Sequence, residues 1–334
     1  MRTVRNGYDK NLGALLFVTL IVLILCGFLF GQSMYSARNI QSMAYQIPEF
    51  GFVALGMMLA FMIGGIDLSI IANANLSGIL AASILTGKYL QVIPESQKIV
   101  CAVIVIFTVS TLLGCFNGFL VSKFGVPSII ATLSTMTLYS GIGTALTGGK
   151  SIVGFPERFT AIGLMEIFGI PVIFIFFIGT ALCLGIIIAF TRFGRKLYLY
   201  GENPTAALFS GINNARISFW TFTIIGLLAG CASITIISRV NSAKVGYGEA
   251  YSLSSLIVCV IGGIHPAGGK GKVLGVVTAV ILMQILFSAF TIMQLSPFAT
   301  KLIWGVMLIF VMGIAQENKR LLKVLKKINI RRYK

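Results

Sequence analysis

Few side chains in this chain could do chemistry, and most of them fall in two stretches. The first begins at Asp67, a carboxylate read as the only acidic group close to the interior of an apolar run. Ser69, Asn73, Asn75 and Ser77 follow it. A carboxylate held near the middle of a bilayer costs about 2.5–3.5 kcal/mol on insertion scales, so Asp67 must face a cavity or a partner. Two roles stay open for it: a group on a solute path, or a cap accepting N–H bonds at the start of the next helix, with Ser69 beside it. Asn73 and Ser77, four apart, share a helix face. Neutral amides and hydroxyls of this kind suit a hydroxyl-rich solute, and they also bind helices to one another. Aromatic rings at Phe52, Phe61, Phe116, Tyr139, Phe222 and Trp220 could stack on a sugar or simply pack.

The second stretch is residues 191–211, TRFGRKLYLYGENPTAALFSG, a polar island between apolar runs. Its second half predicts a short helix: Asn203 caps it, Pro204 takes the first helical position and Gly211 ends it. Such a helix can dock onto a partner. Covalent chemistry finds no support. Lys150-Ser151 follows Gly149, but the position where a phosphate-binding loop needs its first glycine is Thr144, and the Gly268–Lys272 run also misses that pattern. His265 is the single histidine, with no nucleophile and orienting group around it, so neither a triad nor a histidine metal site is indicated. The six cysteines (Cys26, Cys101, Cys115, Cys183, Cys231, Cys259) sit in apolar runs without a CxxC pair and read as reduced packing residues.

These residues must be positioned by membrane-spanning helices. The 334 residues are 57% hydrophobic and 10% charged, with a mean hydropathy of +0.96. A soluble domain carries about 25% charged residues, so this composition belongs to an integral membrane protein. The fold expected is an all-α polytopic bundle of about ten spans, near 12–31, 47–66, 70–86, 99–121, 128–146, 170–190, 218–237, 251–264, 273–293 and 297–314. The third and eighth are too short for a straight crossing and should be broken or enclosed by protein. Residues 1–316 then form one transmembrane domain, and 317–334 a basic tail at the membrane surface. The net charge of +17 reflects loop lysines and arginines that favour the cytoplasmic side and anionic lipid, not nucleic acid. That bias places residues 191–216 and both termini in the cytoplasm, and residues 147–169 and 239–250 outside, where an extracytoplasmic partner could rest. Residues 62–68, MIGGIDL, are echoed by 260–266, VIGGIHP. GxxxG spacings at Gly114/Gly118 and Gly226/Gly230 point to close helix packing.

Four segments in order, GGIDLS (64–69), FGVPSIIATLSTM (124–136), TRFGRKLYLYGENPTAALFSGI (191–212) and VIGGIHPAGGKGKVLG (260–275), resemble signature segments of the permease subunits of bacterial ABC importers, in the branch serving ribose and other simple sugars. The resemblance runs from about residue 45 to 315. It implies a non-enzymatic transport subunit with no cofactor of its own. ATP would be used by separate cytoplasmic ATPase subunits, a second permease copy would pair with it, and an extracytoplasmic binding protein would deliver the solute. It further implies that Gly201, Glu202, Asn203, Ala206, Ala207, Ser210 and Gly211 form the segment that couples to the ATPase. Asp67, Ser69, Asn73, Asn75 and Ser77 are the candidate translocation path. The runs IIANAN after GGIDLS and IHPAGG in the last segment depart from the family pattern, and both bear on which solute is carried: a simple sugar, the autoinducer sugar, a nucleoside or a polyol. The location expected is the bacterial inner membrane. The main rival is an ion-coupled secondary transporter, for which Asp67 alone offers an embedded charge. An intramembrane enzyme would need paired catalytic groups that the chain lacks.

Overall fold

A computed structural model describes residues 2–88, 94–296, 298–307 and 309, with side chains from Leu12 onward. The elements are α1 (Arg2–Phe30), α2 (Gln32–Tyr35), α3 (Ala37–Met62), α4 (Ile70–Leu85), α5 (Glu95–Lys123), α6 (Ser128–Thr147), α7 (Glu157–Leu164), α8 (Val172–Phe190), α9 (Arg192–Glu202), α10 (Pro204–Phe209), α11 (Asn214–Val240), α12 (Glu249–Ile261), α13 (Val273–Ile292) and α14 (Phe298–Met307). Among the described residues seven helices are long and apolar enough to cross a membrane, and α4, α12 and α14 are shorter apolar helices. The expected all-α bundle is therefore present. The predicted surface tail, 317–334, lies outside the described residues.

Two helices form the core. From Ile47 to Met62 every residue of α3 is buried, and α11 is buried along most of its length. Helices α4, α5, α8, α12 and α13 pack around this pair. The α5–α11 contact explains two of the GxxxG spacings. A methyl group placed on Gly114 would sit 2.6 Å from the Phe222 carbonyl oxygen and 2.7 Å from the Gly226 Cα, so only glycine lets the backbones approach this closely. Helix α4, too short for a straight crossing, is enclosed by protein as the bilayer requires: of its 16 residues only Leu80 and Ile84 are part-exposed. 

The long segment 147–169 is structured. It carries α7 and two short strands, β1 (Ile152–Val153) and β2 (Glu166–Ile167). Strand β2 pairs with β3 (Ile170–Pro171) in a hairpin, and β1 pairs antiparallel with β4 (Ser242–Ala243), Ile152 opposite Ala243. The two loops expected on one face are thus joined to each other, and the Asn241 side chain accepts a 2.9 Å bond from the Phe155 N–H.

Candidate functional site

The four signature segments, separated by up to about two hundred residues, meet at one end of the bundle. Helix α3 stops at a glycine cap: the Gly65 N–H bonds the Ala60 carbonyl at 2.9 Å and the Gly64 N–H bonds Phe61 at 2.8 Å, with Gly64 at φ +74°. This is a Schellman ending. Helix α12 ends the same way one residue later in the echoed motif, with Ile264 N–H to Cys259, Gly263 N–H to Val260 and Gly263 at φ +78°. The echo is thus a shared helix stop. The loop that follows α12 reaches the end of α3, because the Gly269 N–H bonds the Met62 carbonyl at 3.0 Å.

Between them sits the last turn of α9. A Cβ on Gly201 would collide with the Met62 carbonyl oxygen, and one on Gly268 would lie 2.5 Å from the Gly201 carbonyl oxygen. Gly269 lies against Glu202, where a Cβ would approach the backbone nitrogen to 2.6 Å. The Tyr198 hydroxyl donates to the Gly271 carbonyl at 2.6 Å; burial pushes its phenol up, so it stays a donor. Lys270 and Glu202 form an exposed pair at 3.9 Å, a contact worth about 0–1 kcal/mol. The GGIDLS link between α3 and α4 is satisfied by the second signature segment. Ser128 Oγ accepts from the Ile66 N–H at 3.2 Å, and the Thr132 hydroxyl donates to the Ile66 carbonyl at 3.1 Å.

From this glycine knot α10 projects outward. Asn203 Oδ1 accepts from the Ala206 N–H at 3.0 Å, Pro204 opens the helix and Gly211 closes it at φ +76°. The Ile212 N–H reaches the Ala207 carbonyl and the Gly211 N–H reaches Leu208, a third Schellman ending, with Ile212 buried. The expected short helix is present, and residues 192–202 before it, not anticipated as helix, form α9 with Thr191 as its N-cap. The candidate coupling residues divide sharply. Gly201 and Ala207 are buried and hold the segment to the core, whereas Glu202, Asn203, Ala206, Ser210 and Gly211 are exposed. The largest exposed groups on α10 are two that the residue pattern did not single out, Leu208 (59% exposed) and Phe209 (87%).

The candidate path residues are all buried. Asp67 sits two residues before Ser69, the N-cap of α4, and holds it: its Oδ1 accepts from the Ser69 N–H at 2.8 Å and the Ser69 hydroxyl at 2.7 Å. Asn117 on α5 donates to the Ser69 oxygen at 2.7 Å. Asn73 donates to the Ser110 carbonyl of α5 at 2.9 Å, Asn75 to the Tyr247 carbonyl at 3.0 Å, and the Ser77 hydroxyl to Ala74 of its own helix. In this conformation these side chains fasten α4 to α5 and to the 241–248 loop. Among the described residues Asn73 Oδ1 and Asn117 Oδ1 have no hydrogen-bond partner. Four of the rings that could have stacked on a sugar, Phe52, Phe61, Tyr139 and Phe222, are packed in the interior.

One expectation is overturned. Asp67 is not the only acidic group inside the bundle, because α3 begins ten residues before the predicted span and so carries Glu49 in its middle, 2% exposed. Glu49 takes both arms of Arg239 from the last turn of α11, Nε to Oε1 and Nη2 to Oε2 at 3.1 Å, and the Tyr251 hydroxyl donates to Oε2 at 3.4 Å. The apolar pattern begins only at residue 47, which leaves Glu49 near the edge of the expected span, whereas the helix itself begins at Ala37. A carboxylate and an arginine each within a few residues of an apolar run were the available signal.

A family model described as branched-chain amino acid transport system / permease component matches residues 39–312. The chain is 33% identical over 287 residues to the ribose import permease protein RbsC of Haemophilus influenzae, covering 84% of this chain and 86% of the relative. It is 30% identical to RbsC of Bacillus subtilis (91% and 92% covered) and 28% identical to the L-arabinose transport system permease protein AraH of Escherichia coli K12 (88% and 87%). No solved structure matches the chain. With seven long apolar helices, a glycine knot built from all four signature segments and relatives of this kind along nearly its whole length, the chain belongs to the family of multi-pass permeases of ABC importers, in the sugar-permease branch of the ribose type.

Proposed function

We propose that this chain is the permease subunit of an ATP-driven importer in a bacterial inner membrane, and that it passes a simple sugar delivered by an extracytoplasmic binding protein. The observation that carries this reading is the exposed, doubly capped α10, seated on the glycine knot with Leu208 and Phe209 turned outward. A greasy pair on a short rigid helix beside Arg192, Arg195, Lys196 and Arg216 fits a cytoplasmic ATPase subunit, and the charge bias puts this end and both termini in the cytoplasm. ATP hydrolysis then resides on the partner. Gly201 and Ala207 transmit the push because they are wedged into the core, while Glu202, Asn203, Ala206, Ser210 and Gly211 shape the docking face. Asp67, Ser69, Asn73, Asn75 and Ser77 set the geometry of the path by holding the α3–α4 break and α4 in place.

The face of α6 supports a second permease copy. The four least buried spans are α1, α5, α6 and α8, with 11%, 22%, 28% and 28% of the stretch buried. Three of them have mean hydropathies of 2.7–2.9, as lipid-facing helices should, but α6 has 1.3, the same as the largely buried α3. Ser134, Thr137, Gly141 and Thr144 lie exposed along it. Ile130 shares the stripe, and a face mixing small, hydroxyl and apolar residues suits close packing against a second copy of this chain or a related permease.

The test is to solubilise the protein from its native membrane and identify what accompanies it, then to measure uptake into vesicles. An ATPase and a second permease in the purified material, with uptake that needs ATP and survives collapse of the proton gradient, are expected. A chain that purifies alone and moves solute without ATP would replace the importer with the ion-coupled transporter.

A further inference from the structure

The Glu49–Arg239–Tyr251 cluster lies at the end of the bundle away from the glycine knot, and the same two helices join both places. Helix α3 runs from Glu49 to Met62, about 20 Å at 1.5 Å per residue, and ends against Gly201 and Gly269. Helix α12 runs beside it in the same direction. The Tyr251 ring lies 5.6 Å from that of Phe50, the Cys259 thiol contacts the Ala54 carbonyl, and α12 leads into the loop that holds Gly201. At that end the pair adjoins a proline inside α3. Pro48, next to Glu49, cannot donate the N–H that would bond the Ala44 carbonyl, which weakens α3 there. Before Pro48 the helix is half-buried and bonds other elements, Tyr45 to Glu166 of the β2–β3 hairpin at 2.6 Å and Asn39 to Ser288 of α13 at 2.9 Å. After it every residue is buried. The α11 backbone at Arg239 packs on α7, where Gly163 lies so close that a Cβ would be 2.6 Å from the Arg239 backbone nitrogen.

We propose that the Glu49–Arg239–Tyr251 cluster is a latch that holds α3, α11 and α12 together on the side away from α10, and that movement of α9–α10 opens it through α3 and α12. The second half of this statement rests on the coupling role given to α10. A buried ion pair contributes little net stability against an apolar replacement, and its best-attested use is to fix one of two arrangements. The pair ties the last turn of α11 and the first turn of α12 to α3, so releasing it would free three helices to move relative to one another. Opening would separate α12 from α3 at Tyr251 and let water reach the face of α12 behind it, where Ser255, one turn on, is fully buried.

The experiment uses the assembly as it purifies from its membrane, carrying S255C, and a membrane-impermeant maleimide read peptide by peptide. In the parent S255C should react slowly, and turnover of ATP should speed it. Adding E49Q should raise the resting rate about tenfold, the size of an ordinary coupling between sites, and the exchange E49R/R239E should bring it back down. Y251F, which removes one hydroxyl at constant shape, should raise the rate less and serves if E49Q does not insert. Native Cys231, buried in the core, must stay unlabelled throughout. The latch is overturned if E49Q and Y251F both leave the S255C rate at the parent value, or if Cys231 becomes reactive along with it, since that is loss of the fold. The two halves separate cleanly: if the resting rates respond as described but ATP never changes them, the latch stands and the coupling role of α10 falls.

Discussion

Gly201 and Gly211 stand ten residues apart and are required for different physical reasons. Gly201 has no room, since any Cβ there meets the Met62 carbonyl and the Gly269 backbone. Gly211 has open space but needs φ +76° to close α10. Gly201→Ala should therefore cost about 1–3 kcal/mol, as overpacking does, and lower the unfolding temperature in detergent. Gly211→Ala should cost about 1 kcal/mol and loosen only α10, which hydrogen exchange at Ser210–Ile212 would report. At Asp67 the prediction is about polar bookkeeping in a dry interior. Ser69→Ala removes the group that accepts from Asn117 and donates to Asp67, leaving the Asn117 amide without that bond, and should destabilise by about 1–3 kcal/mol in a thermal melt. Asn117 itself was invisible in the sequence as a partner of Ser69, because 48 residues separate them and only the α4–α5 packing joins them.

Helices carry the next level. The span pattern was legible because apolar runs are long and their breaks carry Gly, Pro and charge. Where it misled, at the start of α3 and in α9, the residues are polar yet supported by neighbours: Gln46 meets Gln284, and Tyr198 meets Gly271. Hydropathy registers composition and cannot see such partners. The cap residues of α10 were legible for the opposite reason, since Asn203, Pro204 and Gly211 act locally. Asn203→Ala should fray α10 at a cost of about 1 kcal/mol and weaken, without abolishing, recovery of the ATPase with the permease. For α6 the low mean hydropathy on a poorly buried helix sets the expectation. A T137C substitution in a cysteine-free background should form a disulfide-linked pair of permease chains on oxidation in the membrane. A lipid-facing residue on α8, such as L182C, should not.

The whole molecule is organised between two ends. At one, four segments spread over more than two hundred residues close into a glycine knot that presents α10. At the other, Glu49, Arg239 and Tyr251 tie three helices. The order of the signature segments could be read from the chain, but their convergence could not, because a motif's own residues do not say which other motif they touch. The sorting of the coupling segment into buried anchors and exposed contacts likewise needed the fold: Ala207 and Leu208 are neighbours in sequence, and only their burial separates support from docking. In the proposed importer α10 docks an ATPase through its exposed pair, Leu208 and Phe209. The most direct test is to purify the L208S/F209S variant beside the parent from native membranes and compare what comes with each. Both side chains are exposed, so the variant should keep the parent's unfolding temperature and its second permease copy while losing the ATPase and ATP-driven uptake. An ATPase retained at the parent level in that variant would contradict the account.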